Sequence, residues 1–149
     1  MKLKYYWEKF QNRFKEIDFA SRCQLIGVTD QYEHPYWKYL FSSLHFDLSF
    51  VDYCEEVLLE IKKVRLGKIE KTGWSGNAFN INIYFDRVEI DHQQFGGLPE
   101  WPIWTCSLIE FKIALEGWKH FLEMPVNAST RLIVELPDRL PYGIKLPPT

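Results

Sequence analysis

The sequence predicts an α+β fold: an antiparallel sheet with helices packed on one face, in a single domain spanning 1–136, followed by a proline-rich tail at 137–149. Three observations carry this prediction. A helical apolar period runs through Phe50, Tyr53, Cys54, Val57, Leu58, Ile61 and Val64. The period then drops to two, with Phe79, Ile81, Ile83 and Phe85 alternating with polar neighbours. A second helical stripe follows at Leu108, Phe111, Ala114, Leu115, Trp118, Phe121 and Leu122. Helices and strands do not alternate regularly, which disfavours a doubly wound parallel sheet.

Taken in order, residues 3–17 place Leu3, Tyr6, Trp7, Phe10, Phe14 and Ile17 on one helical stripe, flanked by lysines and arginine. A first helix is expected there, packed on the core in preference to lying on a membrane surface. Residues 24–29 read as a short strand and 30–35 as a loop before Pro35. Trp37, Leu40, Phe41 and Leu44 predict a short helix within 36–46. Ser49 and Asp52 have the spacing of a capping box for the helix that follows. Asp52, Glu55, Glu56 and Glu60 lie toward its start and outer face, Lys62, Lys63 and Arg65 in its last turns, and Gly67 at its left-handed end.

The segment 73–77 reads as a turn. Strand 79–85, a reversal at Asp86-Arg87 and a returning strand at Val88–Asp91 make a hairpin. Gly96, Gly97, Pro99 and Pro102 mark 92–104 as irregular. Ser107 and Glu110 form a second capping box, Pro125 ends that helix, and 130–136 alternate as a last strand.

Composition narrows the function. Hydrophobic residues make up 46% of the 149 residues and aromatics 17%, enough for a sizeable core without a disulfide or metal. Eighteen basic residues face 20 acidic ones, a net charge of −2, so the basic excess of a nucleic-acid binder is missing. The N-terminus carries too many charges for a signal peptide, and no apolar run reaches membrane-spanning length. The expectation is a cytoplasmic protein with neither nucleic acid nor membrane as partner.

No catalytic pattern emerges. Cys23, Cys54 and Cys106 make neither a C-x-x-C pair nor an even set, and Cys54 and Cys106 fall in or beside apolar patterns as structural residues. The four histidines have no metal-ligand spacing, and no phosphate loop occurs. Ser75, in Gly73-Trp74-Ser75-Gly76, precedes a strand and so lacks the context of a nucleophile elbow. No catalytic residue, metal or cofactor is expected. The remaining anomaly is aromatic: Trp101 and Trp104 in a Gly/Pro-rich loop beside Phe95, and Tyr36 and Trp37 in the stretch 32–39. Core closure is the favoured reading of these rings. The competing one makes them anchors for a protein partner, since Trp and Tyr dominate interface hot spots.

Two segments then bear on family. They are Gly73-Trp74-Ser75-Gly76-Asn77-Ala78-Phe79, leading into the alternating strand, and Leu108-Ile109-Glu110-Phe111, continuing through Ala114-Leu115-Glu116-Gly117-Trp118 to Phe121-Leu122. Their order resembles that of small immunity proteins of bacterial contact-dependent growth inhibition systems, over the middle third to half of the chain. The resemblance implies a protein that neutralises one cognate toxin domain, often a nuclease, by direct 1:1 binding, without catalytic residues of its own. Trp101, Trp104, Tyr36, Trp37 and the acidic group Asp52, Glu55, Glu56 and Glu60 are the candidate partner-binding residues. The protein is expected as a monomer or weak homo-oligomer. A self-associating adaptor subunit and an enzyme with a site assembled from scattered residues are the competing readings.

Overall fold

A computed structural model describes residues 1–138. Among the described residues, seven strands form two antiparallel sheets. The first has the order β2-β1-β7, from β1 (Lys2–Gln11), β2 (Ile17–Leu25) and β7 (Arg131–Glu135). The second has the order β3-β4-β5-β6, from β3 (Lys71–Ser75), β4 (Phe79–Tyr84), β5 (Arg87–His92) and β6 (Trp104–Ser107). A π-helical segment, Tyr36–Phe41, runs directly into α1 (Ser42–Asp47); α2 (Val51–Arg65) and α3 (Leu108–Glu123) complete the fold. The class is α+β with antiparallel sheets, as the sequence predicts, and the strands divide between two sheets joined through the helices.

The predicted N-terminal helix is a correction. Residues 2–25 form a β-hairpin, with Leu3 opposite Leu25, Tyr5 opposite Cys23 and Gln11 opposite Ile17. Leu3 and Tyr5 are fully buried, whereas Phe14 is 67% and Ile17 57% exposed, so the helical stripe is not one face. Leu3, Tyr5 and Trp7 also alternate, and aromatic residues favour strands. Pairing with β2 and with a distant β7 decides between the two periods. The expected strand at 24–29 is likewise displaced: residues 24 and 25 end β2, and Gly27 turns the chain with φ +80°.

The Ser49 capping box does not form. The helix cap is Phe50, without a side-chain hydrogen bond, because α2 starts one residue later than the pattern implies. Its other end matches the reading: the N–H of Gly67 (φ +74°) donates to Val64 and that of Lys68 to Lys63. At α3 the Ser107–Glu110 box is complete, with the Glu110 carboxylate accepting from the Ser107 N–H at 2.8 Å. Residues 73–75, expected in a turn, belong to β3, and Trp104 opens β6, a strand the sequence reading missed. The hairpin β4–β5 turns at 85–86, with Ile81 opposite Ile90 and Ile83 opposite Val88.

One core runs through both sheets. Leu3, Tyr5, Val88, Ile90 and Val134 join Phe111, Leu115, Trp118 and Phe121 of α3 in it, and α3 packs on β1, β5 and β7. Tyr5 donates its hydroxyl to the Ala114 carbonyl at 3.0 Å, and the Trp118 indole donates to Leu48 at 2.8 Å. All three cysteines are buried free thiols, and burial pushes Cys23 and Cys54 up to about 12, out of reach of thiolate chemistry. No helix among the described residues is long and apolar enough to cross a membrane. Of the expected proline-rich tail, Pro137 and Asp138 are exposed and residues 139–149 lie outside the described residues.

Candidate protein-binding surface

A buried carboxylate assembles the surface. Asp47, at the end of α1 and 4% exposed, accepts three backbone N–H groups from the chain entering β4: Asn77 at 2.7 Å, Ala78 at 2.9 Å and Phe79 at 2.8 Å. Gly76 makes the approach possible, since a Cβ there would lie 2.3 Å from the Asp47 carboxyl carbon. This clamp joins α1 to the second sheet and sets Phe46, the preceding residue, against the loop that follows β5.

Three adjoining concavities result, of about 470, 510 and 430 Å³. The first is lined by Tyr32, Glu33, Trp37, Phe46, His92 and Trp101 among others. The second lies between Phe46, Asn77, His92 and Phe95. The third lies between Tyr6, Arg22, Tyr32, Trp37, His45 and Phe46. Phe46 borders all three and is 56% exposed; Tyr32 is 65% and Phe95 41% exposed. Together they form an open aromatic surface.

His92 organises its edge. Its Nδ1 accepts the N–H groups of Gln94 (3.1 Å) and Phe95 (3.0 Å), while the ring stacks on Phe95 at 4.7 Å and meets Trp101 at 4.6 Å. An Nδ1 that accepts carries no proton, so the ring is neutral. Burial lowers its pKa, against the opposing charges of Asp47 and Asp91. His45 is also lowered, first by burial and then by Arg22, and shares a 2.7 Å hydrogen bond with Ser21. Ser21 is buried, and among the described residues no carboxylate bonds to His45, so the third member of an acyl-transfer triad is lacking. Among the described residues no group of three His, Cys, Asp or Glu side chains can hold a metal ion.

The predicted residues separate into three sets. Trp101 and Trp104 both fold onto the core: Trp104 packs on Tyr36 and Tyr39, and Trp101 on Tyr39 and Phe79, with the Lys38 ammonium 4.1 Å over its ring. Tyr36 turns inward and donates its hydroxyl to the buried Glu110 carboxylate. Only Trp37 and Trp101 of this set line the concavities. Asp52, Glu55 and Glu56 are exposed on α2, and none of them lines the three concavities. Glu60 is engaged: Lys63 and Thr72 donate to it at 2.9 and 2.8 Å, and the bond from Lys63 first among them holds its pKa below the ordinary value. Asp52 and Glu56 share the exposed side of α2 with Tyr53, which packs on Trp74 at 5.4 Å.

Sequence reasoning missed Phe46 and His92 as surface residues, and pointed to the stretch 32–39 and to Phe95 without choosing Tyr32 or Phe95 as candidates. A signal existed for Phe46, which falls off the apolar stripe of its own helix. For His92 there was none, because its role depends on a loop closing back on it. No known protein family, curated protein or solved structure matches the chain.

Proposed function

We propose that the protein is a binding module that neutralises a cognate toxin domain by direct 1:1 binding, and that it turns over no substrate. The observation that supports this most is the position of Phe46, more than half exposed where three concavities meet. Open aromatic rings flanked by desolvated pockets are what a partner's side chains fill at interface hot spots. Tyr32, Phe46 and Phe95 supply the exposed area, and the bonded Asp47 and His92 hold it in shape before binding. The exposed carboxylates Asp52, Glu55 and Glu56 fit a supporting role, speeding encounter with a basic toxin such as a nuclease.

Co-expression with an inactivated product of the adjacent toxin-like gene tests the reading, followed by size-exclusion chromatography. A stoichiometric complex that Phe46→Ala weakens about thirtyfold, the loss typical of a hot-spot residue, is the expected result. Absence of any complex would sink the immunity reading. A complex unaffected by Phe46→Ala and Tyr32→Ala would move the interface elsewhere.

A further inference from the structure

The edge of β2 carries an inference independent of the toxin-binding reading. β1 and β2 pair along their whole length, but β7 pairs with β1 only over Lys2–Tyr6. β2 is one of the two outer strands of its sheet. Such an edge is a template for another strand unless something covers it.

Part of this edge is covered. The Gln31 carboxamide accepts the Leu25 N–H at 2.8 Å and donates to the Cys23 carbonyl at 3.1 Å, in place of a neighbouring strand. These bonds also show which residues direct their backbone outward: 23 and 25, and therefore 21, 19 and 17. At 21 and 19 the outward backbone groups meet neighbouring side chains, and Ser21, 8% exposed, also bonds His45 through its hydroxyl. Arg22 donates to its neighbour's carbonyl at Ser21 (3.2 Å), and Asp18 accepts the Phe19 N–H (2.8 Å). Asp18 is exposed and Arg22 half-buried, with Arg22 3.6 Å from Glu8.

A two-fold antiparallel pairing of this edge with itself can centre on residue 18, 19, 20 or 21. Centred on 18, Asp18 faces its own copy. Centred on 19, it faces Ala20. Centred on 21, the ladder needs the Cys23 carbonyl that Gln31 already holds. Centred on Ala20, Asp18 of each copy faces Arg22 of the other, twice over. The residue at the axis is then one of the smallest, at the position where strand backbones come closest. Asp18 and Arg22 then release the Phe19 N–H and the Ser21 carbonyl, which exchange backbone hydrogen bonds across the axis, and the ladder ends where Gln31 begins.

We propose that β2 is a self-pairing edge: two copies of the chain associate antiparallel about a two-fold axis at Ala20, with Asp18 of one facing Arg22 of the other. The contact is short and its ion pairs are exposed, so the dimer is weak and sensitive to salt.

Site-directed cross-linking and sedimentation test it on the full chain. All native cysteines are buried, so background cross-linking is low. Ala20→Cys places two thiols across the axis, with Cα atoms about 4.5 Å apart, within disulfide reach. Asp18→Cys places its two copies about 13 Å apart, out of reach. Rapid disulfide dimer formation by Ala20→Cys, and none by Asp18→Cys, is expected under mild oxidation. In sedimentation equilibrium at millimolar protein, Asp18→Arg and Arg22→Asp each weaken association about tenfold, and the double swap restores it. A wild-type chain that stays monomeric, or an Ala20→Cys variant that cross-links no faster than Asp18→Cys, overturns the proposal. A folded double swap that fails to recover overturns the register.

Discussion

Two aromatic clusters in this molecule use the same contacts for opposite ends. In the core, Trp118 meets Tyr5 edge-on at 5.2 Å and Phe41 at 5.8 Å, and the polar atoms of Tyr5 and Trp118 are bonded. On the surface, Tyr32 meets Trp37 edge-on at 4.8 Å and His92 meets Trp101 at 4.6 Å. Ring geometry does not distinguish the two. What differs is coverage: the first cluster is closed by β1, α3 and the π-helical segment, and the second is open on one side. Each ring pair is worth on the order of 1 kcal/mol beyond its buried area. That energy goes to stability where water is excluded all round, and remains available to a partner where it is not.

Substitutions at each cluster separate the two roles. Trp118→Ala has the largest expected effect on stability, a loss of about 3–5 kcal/mol by urea unfolding, because it opens a cavity and frees a buried carbonyl. Asp47→Ala comes next, at about 3 kcal/mol, since three backbone N–H groups lose a charged acceptor. It also loosens the aromatic surface, which the near-ultraviolet dichroism of the tryptophans reports. Gly76→Ala strikes the same clamp from the other side and costs about 1–3 kcal/mol; an unchanged unfolding midpoint would show that the clamp yields freely.

Stability also depends on pH through two histidines. His92 and His45 both have pKa values below the ordinary imidazole range when folded. Above pH of about 6.5 they are neutral in both folded and unfolded chains, and stability is full. As pH falls, the unfolded chain takes up protons that the folded rings refuse, so stability declines until the folded values are passed. His92→Asn keeps an acceptor for Gln94 and Phe95 and flattens this decline. An equally steep decline in that variant would remove His92 from the account. The smallest effect on stability belongs to Phe46→Ala, within about 0.5 kcal/mol of the wild type, as for other surface positions. Its large effect on partner affinity is what separates the open cluster from the closed one.

Much of the second half of the chain was legible in advance. The period of two over Phe79, Ile81, Ile83 and Phe85 and the Ser107–Glu110 box are local signals, complete within a few residues; the box holds, and so does the period as far as Ile83, while Phe85, 39% exposed, falls in the turn. Residues 2–17 misled, because their aromatics fit a helical stripe and a strand alternation alike. The Ser49 box misled by one residue, since an S-x-x-D pattern does not say where the helix begins. The acidic residues of α2 were read correctly as lying on an outer face. That they do not line the aromatic concavities was not visible, because nothing in a helix's own sequence says which loops lie beside it.

By itself, then, the sequence determined the elements whose signals are local: two long helices, one hairpin, the absence of known catalytic patterns and an aromatic-rich chain close to neutral charge. Tertiary structure alone decided what depends on contacts between distant residues. Among the described residues it divided seven strands between two sheets, turned residues 2–25 into a hairpin by pairing β1 with a strand some 130 residues away, and left Phe46 open while packing the half-buried Trp104 against the core. The physical reason is that a side chain's rotamer, cap or period is set by its neighbours in sequence, whereas its exposure is set by whatever the folded chain brings against it.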